Sequence, residues 1–275
     1  MKLEVCVDTI LSARRAAEGG ADRIELCSSL KHGGLTPSPG VVATINEIFK
    51  GKRGEKPTRC SIFVMVRPRP GDFTYSEEEV VSMCSDIDYA ASLGADGVVF
   101  GALTRGGKVD EGVTARLVAK CKEHSLGMTF HRAIDLVHDW REALTLLSKL
   151  GVDRVLTAGQ ESSAFVGLRT VVEMVRFVRE NDLGMTVMAG AGINAKNVLE
   201  FLQTAEEGCE LGSLVDIHGS FKETVDSEAN YSWRADPNRD FGSHWVSGSS
   251  QIKSAKQIME SFCKNIKTRD PIPRK

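Results

Sequence analysis

The sequence predicts an α/β fold, a single (β/α)8 barrel of the TIM type, on three observations. Short apolar runs rich in β-branched residues alternate with longer stretches of helical period along the whole chain. A Gly-x-Asp tripeptide recurs ahead of every second strand, as if two strand–helix units formed one repeat. The length, 275 residues with 41% hydrophobic content, is close to what one barrel of about 250 residues uses.

Taken in order, the apolar runs place strands at 3–8, 23–27, 62–67, 98–103, 127–132, 154–158, 186–189 and 214–218. Helices lie between them. Ser76 with Glu79 forms a capping box, after which Val80, Cys84, Ile87 and Ala91 mark one face. Asp139 with Glu142 opens another helix, with Ala143, Leu147 and Leu150 inward. Asn194 can cap a third, and Ile252, Ala255, Met259, Phe262 and Ile266 line the last. Neighbouring strands joined by helices must run parallel. The repeat reads Gly20-Ala21-Asp22, Gly94-Ala95-Asp96 and Gly151-Val152-Asp153, each glycine able to end a helix in the left-handed conformation. A degraded fourth copy, Gly208-Cys209-Glu210 or the turn at Gly212, precedes the last strand. An open doubly wound sheet is the alternative, because alternation alone does not prove closure. One domain is expected over 1–267, with a polar excursion at about 222–248 holding Trp233 and Trp245, and a flexible tail at 268–275.

Composition excludes several classes of partner. A formal net charge of −2 without a basic stripe argues against nucleic acid. No stretch approaches the roughly 20 apolar residues that span a bilayer, so no membrane is expected. The first residues lack the apolar run of a signal peptide. Seven scattered cysteines, none spaced as C-x-x-C, suggest reduced thiols and a cytoplasmic location, with the nucleus as an alternative.

Strand parity then locates the chemistry. Glu4, Cys6 and Asp8 share one face of the first strand, and Arg23, Glu25 and Cys27 one face of the second. Their apolar neighbours suit contact with helices, which turns the polar sets toward the barrel axis. Arg67 ends the third strand, Thr129-Phe130-His131-Arg132 the fifth with Asp135 just beyond, and Asp216 and His218 the eighth. Glu4, Glu25, Arg67, His131, Arg132 and Asp135 are therefore candidates for acid–base catalysis, although a satisfied ion network is the plainer alternative. Gly190, Gly192 and Ser220, in the loops after strands seven and eight, are candidates for an anion site. Tight turns alone can also demand such glycines. Cys6 and Cys27 sit on adjacent strands about 4.8 Å apart, within reach of one soft ion, Cu(I) rather than a hard cation. Inert buried thiols are the alternative.

These segments also resemble the CutC family of copper homeostasis proteins over nearly the whole chain. The blocks that carry the likeness are Glu4-Val5-Cys6, Gly20-Ala21-Asp22-Arg23-Ile24-Glu25-Leu26-Cys27, Gly33-Gly34-Leu35-Thr36-Pro37-Ser38 and Arg67-Pro68-Arg69 with Gly71-Asp72-Phe73. Thr129-Phe130-His131-Arg132-Ala133, Arg154-Val155-Leu156-Thr157 and Ala189-Gly190-Ala191-Gly192 follow in order. The chain departs from the pattern at Pro70, Ile134, Ala158 and Gly219, and in extra residues at 51–59 and before His218. The resemblance implies a (β/α)8 barrel, a homo-oligomer (dimer or tetramer), and copper handling with Cu(I) bound at Cys6 and Cys27. It also implies a polar barrel cluster at Glu4, Glu25, Arg67, His131, Arg132 and Asp135, with His218 nearby. Two functions are thus expected from the sequence: a cytosolic Cu(I)-binding protein, or an acid–base lyase, isomerase or hydrolase acting on a small, phosphorylated or sugar-like metabolite.

Overall fold

The computed structural model describes residues 1–51, 57–208, 215–226 and 243–267. Eight parallel strands close into a barrel in sequence order, with β8 pairing back onto β1. They are β1 (Leu3–Val7), β2 (Arg23–Leu26), β3 (Ser61–Met65), β4 (Gly97–Phe100), β5 (Gly127–Phe130), β6 (Arg154–Thr157), β7 (Thr186–Ala189) and β8 (Val215–Gly219). Around them run α1 (Ile10–Glu18), α2 (Pro39–Lys50), α3 (Glu77–Ser92), α4 (Glu111–Glu123), α5 (Trp140–Leu150), α6 (Leu168–Glu180), α7 (Val198–Gly208) and α8 (Ser249–Lys267). Closure rules out the open sheet. Most strands stop one to three residues short of the sequence expectation, and the residues beyond them build the strand-end loops.

Two ends of the excursion after β8 are ordered as an antiparallel pair, β9 (Lys222–Asp226) with β10 (Ser243–Ser247). The expected irregular stretch is therefore a hairpin at its base, with Trp245 beside the ammonium of Lys222 at 4.3 Å. Trp233, Cys209, Gly212 and the tail at 268–275 lie outside the described residues.

The helix start signals hold at atomic detail. Ser76 and Glu79 make the reciprocal capping box, and Asp139 accepts from the N–H groups of Arg141 and Glu142. On α3 the buried face is Val80, Met83, Ile87 and Ala90, so Cys84 and Ala91 sit at its margin. Asn194 caps only a turn, accepting from Lys196 N–H, and α7 begins four residues later.

Each Asp of the repeat has a definite task. Asp22, Asp96 and Asp153 accept the backbone N–H of Leu3, Ile62 and Met128, each at 2.7 Å. Each of these N–H groups belongs to the first or second residue of the strand preceding the repeat's own strand, so the carboxylate completes the hydrogen bonding at the barrel's N-terminal end. Gly20, Gly94 and Gly151 take φ values of +84°, +84° and +94°, which only glycine adopts without strain. Leu3, Val5, Val7, Ile24 and Leu26 pack outward into one continuous core with the helices. That placement leaves the alternate side chains of β1 and β2 for the barrel interior.

Candidate functional site

Glu4, fully buried, is the hub. Register sets Arg23 of β2 on one side of it and His218 of β8 on the other. One carboxylate oxygen takes the Nε–H of Arg23, and the other meets His218 Nδ1 at 2.8 Å. Burial opposes its charge, but the Arg23 guanidinium and then His218 outweigh that and hold the carboxyl at about 2. Arg23 also reaches Asp216 at 3.3 Å, and Arg154 of β6 reaches the same carboxylate at 3.4 Å. Both guanidinium groups lie over the Phe63 ring, at 5.1 and 5.4 Å.

Above this network the second polar layer opens into a cavity of about 720 Å³ at the C-terminal strand ends. Glu25 is paired in register with Cys6, and its Oε2 lies 3.8 Å from His218 Nε2 and 3.7 Å from Cys27 Sγ. Burial pushes its carboxyl up, against the pull of His218 and with further push from Glu4, to about 7. His218 is raised well above the ordinary imidazole range: burial opposes its charge, and the Cys6 sulfur and the Glu25 carboxylate overcome it. Cys6, half-buried, lines the cavity, and its sulfur shares a space under 4.8 Å across with ligand atoms of Glu25 and His218. Cys27 sits behind, packed with Phe63, Met65 and Val99. Burial, then the nearby Glu25 charge, pushes its thiol well up.

The remaining expected residues divide by task. The Arg67 guanidinium donates to the carbonyls of His32 (2.9 Å), Gly34 (3.2 Å) and Gly71 (2.8 Å), which clamps it in the cavity wall over Phe73. His131 lines the same cavity, its ring 4.7 Å from that of Phe73. Burial, with Arg67 adding to it, drops its pKa to about 3, so the ring is neutral. Arg132 reaches the cavity rim but pairs with Asp135 at 2.8 Å. Asp135 also accepts from Thr157 Oγ1 and from the N–H groups of Ala158 and Gln160, so it anchors the loop after β6. Of the expected anion-binding positions, Gly192 and Ser220 line the cavity. Gly190 N–H is donated to Thr157 O at 3.0 Å, and a side chain there would strike Leu156.

Sequence reasoning did not anticipate Arg154, Arg23 and Asp216 as one network beneath the site. The parity of β6, with Arg154 and Leu156 alternating against the outward Val155, was the available signal. The donor set suits a soft ion: a cysteine sulfur and an imidazole nitrogen lie close together, and the second imidazole nitrogen is fixed by a carboxylate, the usual support for a ligating histidine.

Comparison with known proteins identifies the family of the chain. The family model described as the CutC family matches residues 1–222. A human copper homeostasis protein cutC homolog is 42% identical over 225 residues, covering 82% of this chain and 75% of the human protein. The mouse homolog of the same name is 45% identical over 201 residues, covering 73% and 69%. A crystal structure of a CutC protein from Streptococcus agalactiae superposes with a TM-score of 0.69 at 27% identity, covering 80% of this chain and 99% of that one. More distant barrels share the fold alone, such as a thiamine phosphate pyrophosphorylase from Pyrococcus furiosus at 17% identity and a TM-score of 0.54, covering 95% and 96%. The chain belongs to the CutC family of copper homeostasis proteins.

Proposed function

We propose that the chain holds Cu(I) at the C-terminal end of its barrel, with Cys6 and Cys27 as thiolate ligands and His218 Nε2 as the nearest nitrogen donor. The single observation that supports this most is the clustering of Cys6, His218 and Glu25 ligand atoms within 4.8 Å. Metal–sulfur and metal–imidazole bonds are roughly 2.0–2.3 Å, so one ion can touch two donors about twice that distance apart. Cys27 is the second soft donor in reach of the same carboxylate, 3.7 Å from Glu25. Burial holds the Cys27 thiol protonated, and the charge of its neighbours holds a proton on His218, so the metal must displace a proton at each to use them. A reducing cytoplasm would keep both thiols available; the described cysteines are all free.

A competition titration of the reduced protein with a Cu(I) chelator tests this. The Cys6→Ala/Cys27→Ala double variant should bind about 100-fold more weakly or worse, and His218→Ala about 10- to 100-fold. A double variant that competes as well as wild type ends the proposal.

A second function has its own support. A carboxyl held near neutrality, Glu25, faces a metabolite-sized cavity beside Arg67 and His131, the environment that acid–base enzymes use. Turnover of a small phosphorylated or sugar-like compound that disappears in Glu25→Gln would establish it. Turnover that survives this substitution would remove Glu25 from the chemistry.

A further inference from the structure

One buried donor in the cavity has no acceptor among the described residues. His131 Nδ1 accepts the Ala133 N–H at 3.2 Å, so the neutral ring carries its hydrogen on Nε2. The residue is 5% exposed, it lines the cavity, and its Nε2 has no hydrogen-bond partner among the described residues. Buried polar groups are ordinarily paired, and an exception needs a cause. The ring cannot swing away to find one. Phe73 packs against it at 4.7 Å, and Gly101 approaches so closely that a side chain there would lie 2.5 Å from the imidazole.

The surrounding charge gives the sign of the missing acceptor. Arg67 is fixed beside His131 by three backbone carbonyls, and its Nε is likewise buried without a partner. Lys196 and Lys222 add positive charge to the described lining, where Arg132 is already taken by Asp135 and Glu25 is the one carboxylate. Clefts lined by one sign of charge concentrate ligands of the other.

We propose that this cavity is the receptor of a small organic oxyanion, a carboxylate or phosphate ester, one oxygen of which accepts the Nε2–H of His131. The anionic group lies toward Arg67 and the cationic rim. The volume, about 720 Å³, is that of a metabolite pocket. This goes beyond copper binding and is independent of it, since His131 is not among the thiol and imidazole groups that meet at Cys6.

The test uses the full-length, copper-free protein with 15N-labelled histidine. Malonate, 2-phosphoglycolate and uncharged glycerol are titrated while the His131 Nε2–H signal is followed by NMR. The expected result is a saturable shift with one or both anions and none with glycerol, and the tighter anion assigns carboxylate or phosphate ester. His131→Phe keeps a ring against Phe73 and removes the donor, and it should weaken the anion at least tenfold while Cu(I) affinity is unchanged. Lys196 and Lys222 are exposed, so Lys196→Ala/Lys222→Ala leaves the fold intact and should weaken the anion as well. No saturable shift with either anion overturns the proposal, because the orphan donor then serves only a bound water. Equal anion affinity in wild type and both variants overturns it too. A loss of Cu(I) binding in Cys6→Ala/Cys27→Ala would leave these outcomes untouched.

Discussion

Below Glu4, the barrel interior is a closed circuit: Arg23 and Arg154 converge on Asp216, Arg23 also holds Glu4, and both guanidinium groups cover Phe63. Above Glu4, the same residue types stand apart around open space. Glu25 keeps a proton to near neutrality, His131 and Arg67 retain buried atoms without partners among the described residues, and Cys6 stands with His218 and Glu25 while Cys27 sits behind Glu25. Ionised groups in a protein interior are tolerated when paired, and each in the lower half has an ion-pair partner, although Arg154 Nε makes no hydrogen bond among the described residues. The upper half breaks it repeatedly within one cavity. Such violations are expected where a ligand completes the arrangement, so the comparison separates a stability layer from a binding layer along one barrel axis.

The sharpest way to break this comparison is to cut the lower circuit. Arg23→Met leaves Glu4 and Asp216 buried with a partner removed, and breaking such a pair costs about 3–5 kcal/mol. A urea melt should show a correspondingly lower midpoint. If the variant is as stable as wild type, the lower layer is not what holds the barrel core together.

Glu25 supplies the next largest effect, with the opposite sign. Its folded carboxyl is near 7 against an ordinary 4.5, so between these values the folded protein keeps a proton that the unfolded chain has lost. Stability therefore falls as pH rises through that window. Glu25→Gln lacks the proton to lose, and each unit is worth about 1.4 kcal/mol. Relative to wild type, the variant should gain on the order of 3–4 kcal/mol between pH 4.5 and 8. Parallel pH profiles for the two proteins would show that Glu25 is not a buried, strained acid.

Asp135 lies between the two layers in kind, since its partner Arg132 stands at the cavity rim while its own carboxylate is fully engaged. Asp135→Asn would turn one accepting oxygen into an N–H₂ facing the donors of Ala158 or Gln160, at a cost of about 1–2 kcal/mol. A thermal melt should register it while Cu(I) affinity is preserved. Loss of ligand binding without loss of stability would move Asp135 into the binding layer.

Much of this division was legible from alternation alone. Glu4, Cys6, Arg23, Glu25 and Cys27 could be assigned to the interior because β1 and β2 alternate polar and apolar residues without a slip. The Gly-x-Asp repeat could be seen but not explained, since its Asp side chains act on the preceding strand, a contact visible only once the sheet is folded. The split of the polar cluster was equally hidden. Nothing in the spacing of Asp135 separates it from His131, yet one is saturated by the β6 loop and the other is left with an orphan donor. Which partners a loop brings is decided by tertiary contacts, and no local pattern encodes them.

The smallest predicted effect concerns the surface, and it tests what the distance between donors means. Asp88, Glu123 and His124 also bring ligand atoms within 4.8 Å of one another. Here Asp88 meets His124 Nε2 at 2.7 Å and Lys120 at 3.3 Å, while Lys120 also binds Glu123 at 2.9 Å. A lysine already neutralises the oxygens, water competes for every contact, and no thiolate is present. Proximity is the same as at Cys6, but the softness of the donors and their burial are not, and those are the terms that select a copper ion. Asp88→Asn should therefore alter stability by about 0–1 kcal/mol and leave the Cu(I) stoichiometry of the chelator titration unchanged. If it removed an equivalent of copper, proximity alone would account for metal binding, and the cavity at the strand ends would lose its claim to be the place where the chain handles the ion.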